Sequence, residues 1–354
     1  MKQEDTHFSG FSLRFRPAVP AILLVLCMVL SAGCAEALLH QERVVAPRIV
    51  PVGNAPAPTP PVYHFLFESS TITLTSPVNG SVLAGAKAAD KEVTIYGNIS
   101  ETDWVAQTYQ SMMNDPNQEE FYRDLITRLR EIKEQNALTD DEYVELMTVF
   151  VQSIQYENVR ENPVKFPIET FMDKSGDCDD KSLLLAGLLS REGYRVALFS
   201  FSEESHMAVG IACPGTDYKN TGYAYVETTN FSFVGVPPDE LISGISLNSE
   251  PAVIPVRTGT KTYTSCDQTR YLDGMYVASE QKFFALSRES DAMRAELQAL
   301  SDARNINTYN QRVPVYNHLI DKMRQYAAIY NYILTHRHDR KGTYEWVKSH
   351  SVNL

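Results

Sequence analysis

The sequence predicts an α+β fold, with helices followed by an antiparallel meander and then by helices again. Three observations carry this expectation. An amphipathic helical period runs between residues 115 and 156, strand-like runs take over between 195 and 236, and a three-and-four spacing returns over residues 316–333. The 354 residues leave room for one good-sized core with accessories, or for two modest domains. A hydrophobic share of 44% with 21% charged residues is that of a globular chain. The net charge of −12 disfavours nucleic acid as a partner, because a polyanion binder needs a basic face.

The first element is an address. Arg14 and Arg16 precede a stretch without charge from Pro17 to Ala35. Its centre, Ala21 to Leu30, has the length of a signal-peptide apolar region and is short for a spanning helix. The stretch ends Leu30-Ser-Ala-Gly-Cys34, which is similar to a lipobox, with Ser31 where Leu is more usual. Residues 1–33 then read as a signal peptide, and Cys34 as the lipid-modified N-terminus of a prokaryotic lipoprotein. An uncleaved signal anchor and ordinary cleavage nearby are the alternatives. Each places the rest of the chain outside the cytoplasm, with the membrane as partner where an anchor remains.

Residues 34–62 read as a Pro-rich tether, extended over Ala55 to Pro61. Residues 63–100 read as a small β-rich segment with runs Tyr63–Phe67, Thr71–Thr75 and Glu92–Tyr96, and an Asn79-Gly80 turn between the last two. The main domain, 101–265, has an amphipathic segment opened by Asp115-Pro116 and striped by Phe121, Leu125, Ile126, Leu129 and Ile132. Thr139 and Glu142 form a capping box that starts the run Tyr143 to Tyr156. After the turn Asp173–Gly176 comes a helix whose leucines, from Ser182 through Leu189, face several directions and mark it as central. Arg195–Phe201, His206–Ala212 and Tyr223–Thr229 are the meander. Residues 266–354 read as a helical hairpin, one helix from about Met275 to Ala303 and a second striped by Tyr316, Leu319, Met323, Tyr326, Tyr330 and Ile333. His336 to Lys341 reads as its solvated end.

Of five cysteines, Cys27 leaves with the signal and Cys34 carries lipid. Cys178, Cys213 and Cys266 remain, either as one disulfide and one thiol or as three buried thiols. Cys178 lies in the first turn of the central helix, after Asp177 as N-cap and with Asp180 in the capping-box position. The positive end of the backbone dipole favours a thiolate there, while the adjacent acids oppose it, so a cationic partner is needed. His206 and Glu227 stand in two successive strands. An imidazole beside a thiol makes a thiolate–imidazolium pair and later protonates the leaving group, and a third group orients the ring. Taken singly, each has a plainer reading: a structural cysteine, a core histidine, an exposed strand charge.

The run Phe166 to Leu185, which contains Gly176-Asp-Cys-Asp-Asp180, resembles the nucleophile segment of transglutaminase-like proteins. Ser205–Ile211 and Tyr225–Thr229 are similar to the family's His and acid strands, so the resemblance spans roughly residues 140–235. It implies a papain-like α+β domain with Cys178, His206 and Glu227 as catalytic set. It also implies a cysteine peptidase, amidase or protein-glutamine acyltransferase activity on a protein or peptide substrate at the cell surface. An oxyanion donor upstream is implied as well, with Gln155 and Tyr156 as candidates by position. The sequence departs from the family at Ala208, where an aromatic is common, at Glu227, where Asp is usual, and in an extra turn, Cys213-Pro-Gly-Thr-Asp217. If Cys178 must remain a thiol, Cys213 and Cys266 are the pair left to form a disulfide, worth on the order of 4 kcal/mol by loop closure. No cofactor is called for. No acidic loop is arranged for calcium, and zinc through Cys178 and His206 lacks further ligands, so no metal is expected. The sequons at Asn79, Asn98 and Asn230 are too short a pattern to assign glycosylation. The competing class is a non-catalytic surface module that binds a protein partner through the C-terminal helices.

Overall fold

The computed structural model describes the backbone of residues 13–15 and the whole of residues 42–157, 163–256 and 259–351. Cys27, Cys34 and the apolar signal-like stretch lie outside the described residues. β1 (Leu13–Phe15), next to that stretch, runs parallel to a later strand. Among the described residues no helix is long and apolar enough to cross a membrane.

The N-terminal β segment is two structures rather than one. β2 is Arg43–Val45. β3 (Val62–Phe67) and β4 (Ser70–Thr75) form a hairpin whose tip carries Glu68 in the left-handed region, φ 51°. Alternation buries Tyr63, Phe65, Phe67, Ile72 and Leu74 and leaves their neighbours out, the signature of a sheet with one covered face. The turn expected at Asn79-Gly80 is a helix start instead. Asn79 accepts hydrogen bonds from the N–H groups of Ser81 and Val82 and caps α1 (Gly80–Ala88). Asn suits a turn and an N-cap equally, and the helix-forming residues that follow decide between them. β5 (Val93–Tyr96) then pairs with β1 and β2, in the order β1-β5-β2, and not with the hairpin.

Five helices follow. α2 (Glu101–Met113), capped by Ser100, is absent from the sequence reading, which has no helix before Asp115. Pro116–Gln118 forms a 3-10 turn and leads into α3 (Glu119–Gln135), whose expected stripe Phe121, Leu125, Ile126, Leu129 and Ile132 is buried, together with Tyr122. α4 (Asp140–Ser153) opens on the Thr139/Glu142 capping box with both reciprocal bonds formed. Then come β6 (Gln155–Tyr156), α5 (Pro167–Asp173), β7 (Ser175–Gly176) and α6 (Cys178–Arg191). α6 is buried from Cys178 to Ser190, consistent with its all-round leucines.

α6 packs on an antiparallel sheet of β8 (Val196–Phe201), β9 (His206–Ile211), β10 (Ala224–Val226) and β11 (Ala252–Val256), in the order β10-β9-β8-β11. The meander has a fourth strand that sequence reading did not place. Pro255 weakens its β signal, and it survives because β11 is an edge strand, where a missing N–H is tolerated. The architecture is therefore α+β with a helical C-terminus.

That C-terminus holds three helices: α7 (Cys266–Asp302), α8 (Ile306–Thr335) and α9 (Arg340–His350). α7 and α8 are the expected hairpin, although α7 starts earlier than its apolar stripe suggested. The expected solvated end at His336 to Lys341 is corrected: Arg340 is buried, and its Nε donates to Glu145 Oε1 at 2.6 Å. Tyr263 Oη donates to the same oxygen at 2.6 Å. A buried carboxylate demands such partners, so the basic run turns inward and starts α9. Cys213, just past β9, is bonded to Cys266 at the head of α7, with Cα atoms 6.5 Å apart. Cys178 is the one free cysteine among the described residues.

Candidate functional site

The site begins at Gly176. A Cβ there would fall 2.8 Å from Asp180 Cβ, so the chain closes against α6 only through glycine. Asp177 then caps α6, accepting from the N–H groups of Asp179 and Asp180 at 3.1 Å, while Asp180 Oδ2 accepts from the Asp177 N–H. This reciprocal box fixes Cys178 as the first helical residue, 5% exposed. Gln155 and Tyr156 run parallel to Ser175 and Gly176, two residues short of the thiol. The Gln155 side chain is exposed and Tyr156 half-buried. Burial, then the charges of Cys178 and Asp177, hold the Tyr156 phenol above its ordinary range, so Tyr156 stands within electrostatic reach of the sulfur.

His206 opens β9 opposite Phe201, and Glu227 follows directly on β10. Both are buried, at 6% and 1% exposure. His206 Nε2 lies 3.2 Å from Tyr225 Oη and 3.6 Å from Glu227 Oε2, and the Tyr225 hydroxyl donates to that oxygen at 2.7 Å. The other carboxylate oxygen accepts from the N–H groups of Thr228 and Thr229 and from Thr229 Oγ1. Burial by itself would push Glu227 up. The His206 ring, Thr229 and Tyr225 outweigh it and hold the carboxyl down to about 2. The acid is ionised at any working pH.

The thiol has other company. Cys178 Sγ donates to Asp179 Oδ1 at 3.4 Å, and Tyr109 Oη donates to Asp179 Oδ2 at 2.5 Å. Burial first, then the carboxylates of Asp179 and Asp177, push the thiol well above its ordinary value, while the Met207 N–H works the other way. The sheet's alternation explains why the ring does not join. Met207, Val209 and Ile211 face the core that contains Cys178, whereas Ala208 faces a separate layer with Phe199, Phe201 and Tyr225. His206 shares the parity of Ala208, and its ring centroid lies 6.1 Å from that of Phe201. Among the described residues no hydrogen bond joins Cys178 to His206. They meet the strand end from its two faces, with Met207 the link between them. No family model matches this chain, and neither a curated protein nor a solved structure does.

Four contributors escaped sequence reading. Tyr225 could have been found, because it stands two residues before Glu227 and so on the same strand face. Lys181 gives only one sequence signal, a charge at the start of an apolar helix. It is fully buried, with Nζ donating to the carbonyls of Ile154 at 2.6 Å and Gln152 at 3.2 Å, and burial brings it down to about 7. Gln152 in turn donates to the carbonyls of Glu227 and Ser232, tying α4 to the acid strand. Tyr109 comes from α2 and carries no local signal.

For a metal, the ligand atoms of Asp177, Cys178 and Asp179 lie within 4.8 Å of one another. Both carboxylates are already engaged, one in capping and one with Tyr109 and the thiol, so the cluster is explained without an ion.

Proposed function

We propose that this chain is an extracytoplasmic thiol hydrolase or acyl-transferase of the transglutaminase-like class, acting on peptide or isopeptide amides. It would be held at the membrane by lipid on Cys34 or by its signal anchor. The observation that carries the reading is the buried His206–Tyr225–Glu227 constellation, with the carboxylate kept ionised, at the strand end that also meets the only free thiol among the described residues. Burying a carboxylate is unfavourable unless partners compensate it, and such compensated groups concentrate at functional sites. The resemblance around Gly176-Asp-Cys-Asp-Asp180, and the packing of a Cys-bearing helix on a sheet that bears His and acid, support a papain-like arrangement.

In this reading Nε2 is committed to Tyr225 and Glu227, which leaves Nδ1 to take the proton from Cys178. The sulfur attacks the amide carbonyl, the imidazolium gives its proton to the departing amine, and water or an amine resolves the acyl-enzyme. The oxyanion would lie near the α6 N-terminus, with the Gln155–Tyr156 segment alongside. Before the first step the Cys178 sulfur has to turn from Asp179 to Nδ1 at the strand end, with the ring keeping Tyr225 and Glu227. Turnover of fluorogenic peptide amides, or incorporation of an amine probe into a protein substrate, is expected to vanish in Cys178→Ala. Retention of that activity in Cys178→Ala would sink the assignment.

A second reading is favoured by one observation, the missing Cys178–His206 hydrogen bond. It takes the chain as a non-catalytic module that binds a protein partner through α7 and α8. Selective labelling of Cys178 by a thiol probe near neutral pH, lost in His206→Ala, favours the enzyme. Labelling no faster than a peptide thiol favours the module.

A further inference from the structure

The nucleophile reading leaves Asp179 and Tyr109 unexplained. A carboxylate beside a thiol that must ionise is unfavourable, and this one is fixed on both sides: one oxygen accepts from Cys178 Sγ at 3.4 Å and the other from Tyr109 Oη at 2.5 Å. Tyr109 is itself fully buried on α2, a helix capped by Ser100 and packed against α6. Its phenol is not free to turn elsewhere, so the Asp179 carboxylate is held in register with the sulfur.

We infer that Asp179, braced by Tyr109, is a positioning residue that holds the Cys178 thiol protonated as a hydrogen-bond donor, so that His206 must take the sulfur over from Asp179 before attack. The proton stays on sulfur in the resting site. When His206 takes over, the Sγ–H bond breaks, the proton passes to the imidazole, and the electron pair remains on sulfur. The role in turnover rests on the reading of Cys178 as nucleophile, whereas the hold on the thiol does not.

Asp177 and Asp179 face the sulfur from its own helix, Tyr109 from α2, Tyr156 from β6 and Tyr225 from β10, with the Met207 N–H from β9. The Met207 N–H is the one of these that favours a thiolate, and His206 lies against Tyr225 and Phe201 on the other face of the strand. Burial and the acids together push the thiol up, and Asp179 itself is raised to about 7 by burial and by Asp177. Protonation of Asp179 would release its hold on the sulfur.

The test is the rate of iodoacetamide alkylation against pH on the full chain, with peptide mass mapping to read Cys178 by itself. In wild type the rate is expected to rise only above the pH at which a free peptide thiol reacts. In Asp179→Asn the midpoint is expected to fall by about one pH unit or more, a gain of about tenfold at a fixed pH below both midpoints. Tyr109→Phe keeps the carboxylate but removes its brace and one donor, and is expected to shift the midpoint the same way by less. It carries the test if Asp179→Asn does not fold. Because burial also raises the thiol, looser packing alone would lower the midpoint as far in Leu183→Ala, a core truncation of α6 that keeps the carboxylate, as in Asp179→Asn. That result, or unchanged profiles in the variants that fold, overturns the inference. Failure of the amide chemistry would show separately, as turnover indifferent to Cys178→Ala, with the alkylation profiles unaffected.

Discussion

The Tyr225 hydroxyl donates to Glu227 Oε2 at 2.7 Å while lying 3.2 Å from His206 Nε2. The phenol therefore accepts from the ring and passes the charge on to the acid, beside a direct ring–carboxylate distance of 3.6 Å. The contact of Glu227 with the ring is thereby shared with a tyrosine.

If the proposed chemistry holds, Glu227→Gln removes the charge that stabilises the imidazolium and is expected to lower kcat by about 10²-fold or more. Tyr225→Phe leaves the acid charged and should lower kcat by about tenfold, with KM little changed. Steady-state kinetics on a peptide amide separate the two.

The depressed Glu227 sets a pH dependence of stability. Its folded value is about 2 against an ordinary 4.5, so its contribution is fully present above about pH 4.5 and is lost as pH falls toward 2. The span amounts to on the order of 3 kcal/mol. Urea unfolding between pH 6 and pH 3 should show this loss, and Glu227→Gln should flatten the curve over the same window.

The Cys213–Cys266 bond closes a loop with a sequence separation of 53 and ties the end of β9 to α7. Replacing both cysteines by Ala is expected to reduce stability by about 4 kcal/mol through loop-closure entropy. Denaturant unfolding of the double variant measures it. Alkylation of Cys178 should stay slow there if the site itself is intact.

Arg340 is the nearest compensation for a buried Glu145, which burial raises to about 7 despite the guanidinium. Arg340→Met strands that carboxyl and should cost about 3–5 kcal/mol, whereas replacing Glu145 by Gln and Arg340 by Met together should cost less. Comparing the two in thermal and urea melts checks whether α9 is pinned by this pair.

Much of the scaffold was legible because its signals are local. The capping boxes at Thr139/Glu142 and Asp177/Asp180 need only residues three apart, and the α3 stripe needs only a helical period. α2 and β11 were missed for the opposite reason. The first buries Trp104, Val105, Thr108, Tyr109, Met112 and Met113 at a four-residue step, a stripe diluted by Gln107, Gln110 and Ser111, and the second carries Pro255, tolerated only because the strand lies at the sheet edge. Asn79 shows the middle case, in which one residue type serves two local structures.

By itself the sequence determined the α+β order, the central helix opening at Cys178, the strand that opens on His206, the strand that ends just before Glu227, and the cysteines available for pairing. These follow from short-range periodicity, capping chemistry and counting. Only the tertiary structure decided which groups touch. Strand alternation turned His206 toward Tyr225 and the aromatic layer and left the thiol on the core face. Packing of α2 on α6 set Tyr109 and Asp179 against the sulfur. Such contacts join residues far apart in the chain through burial and sheet parity, and no local pattern encodes them.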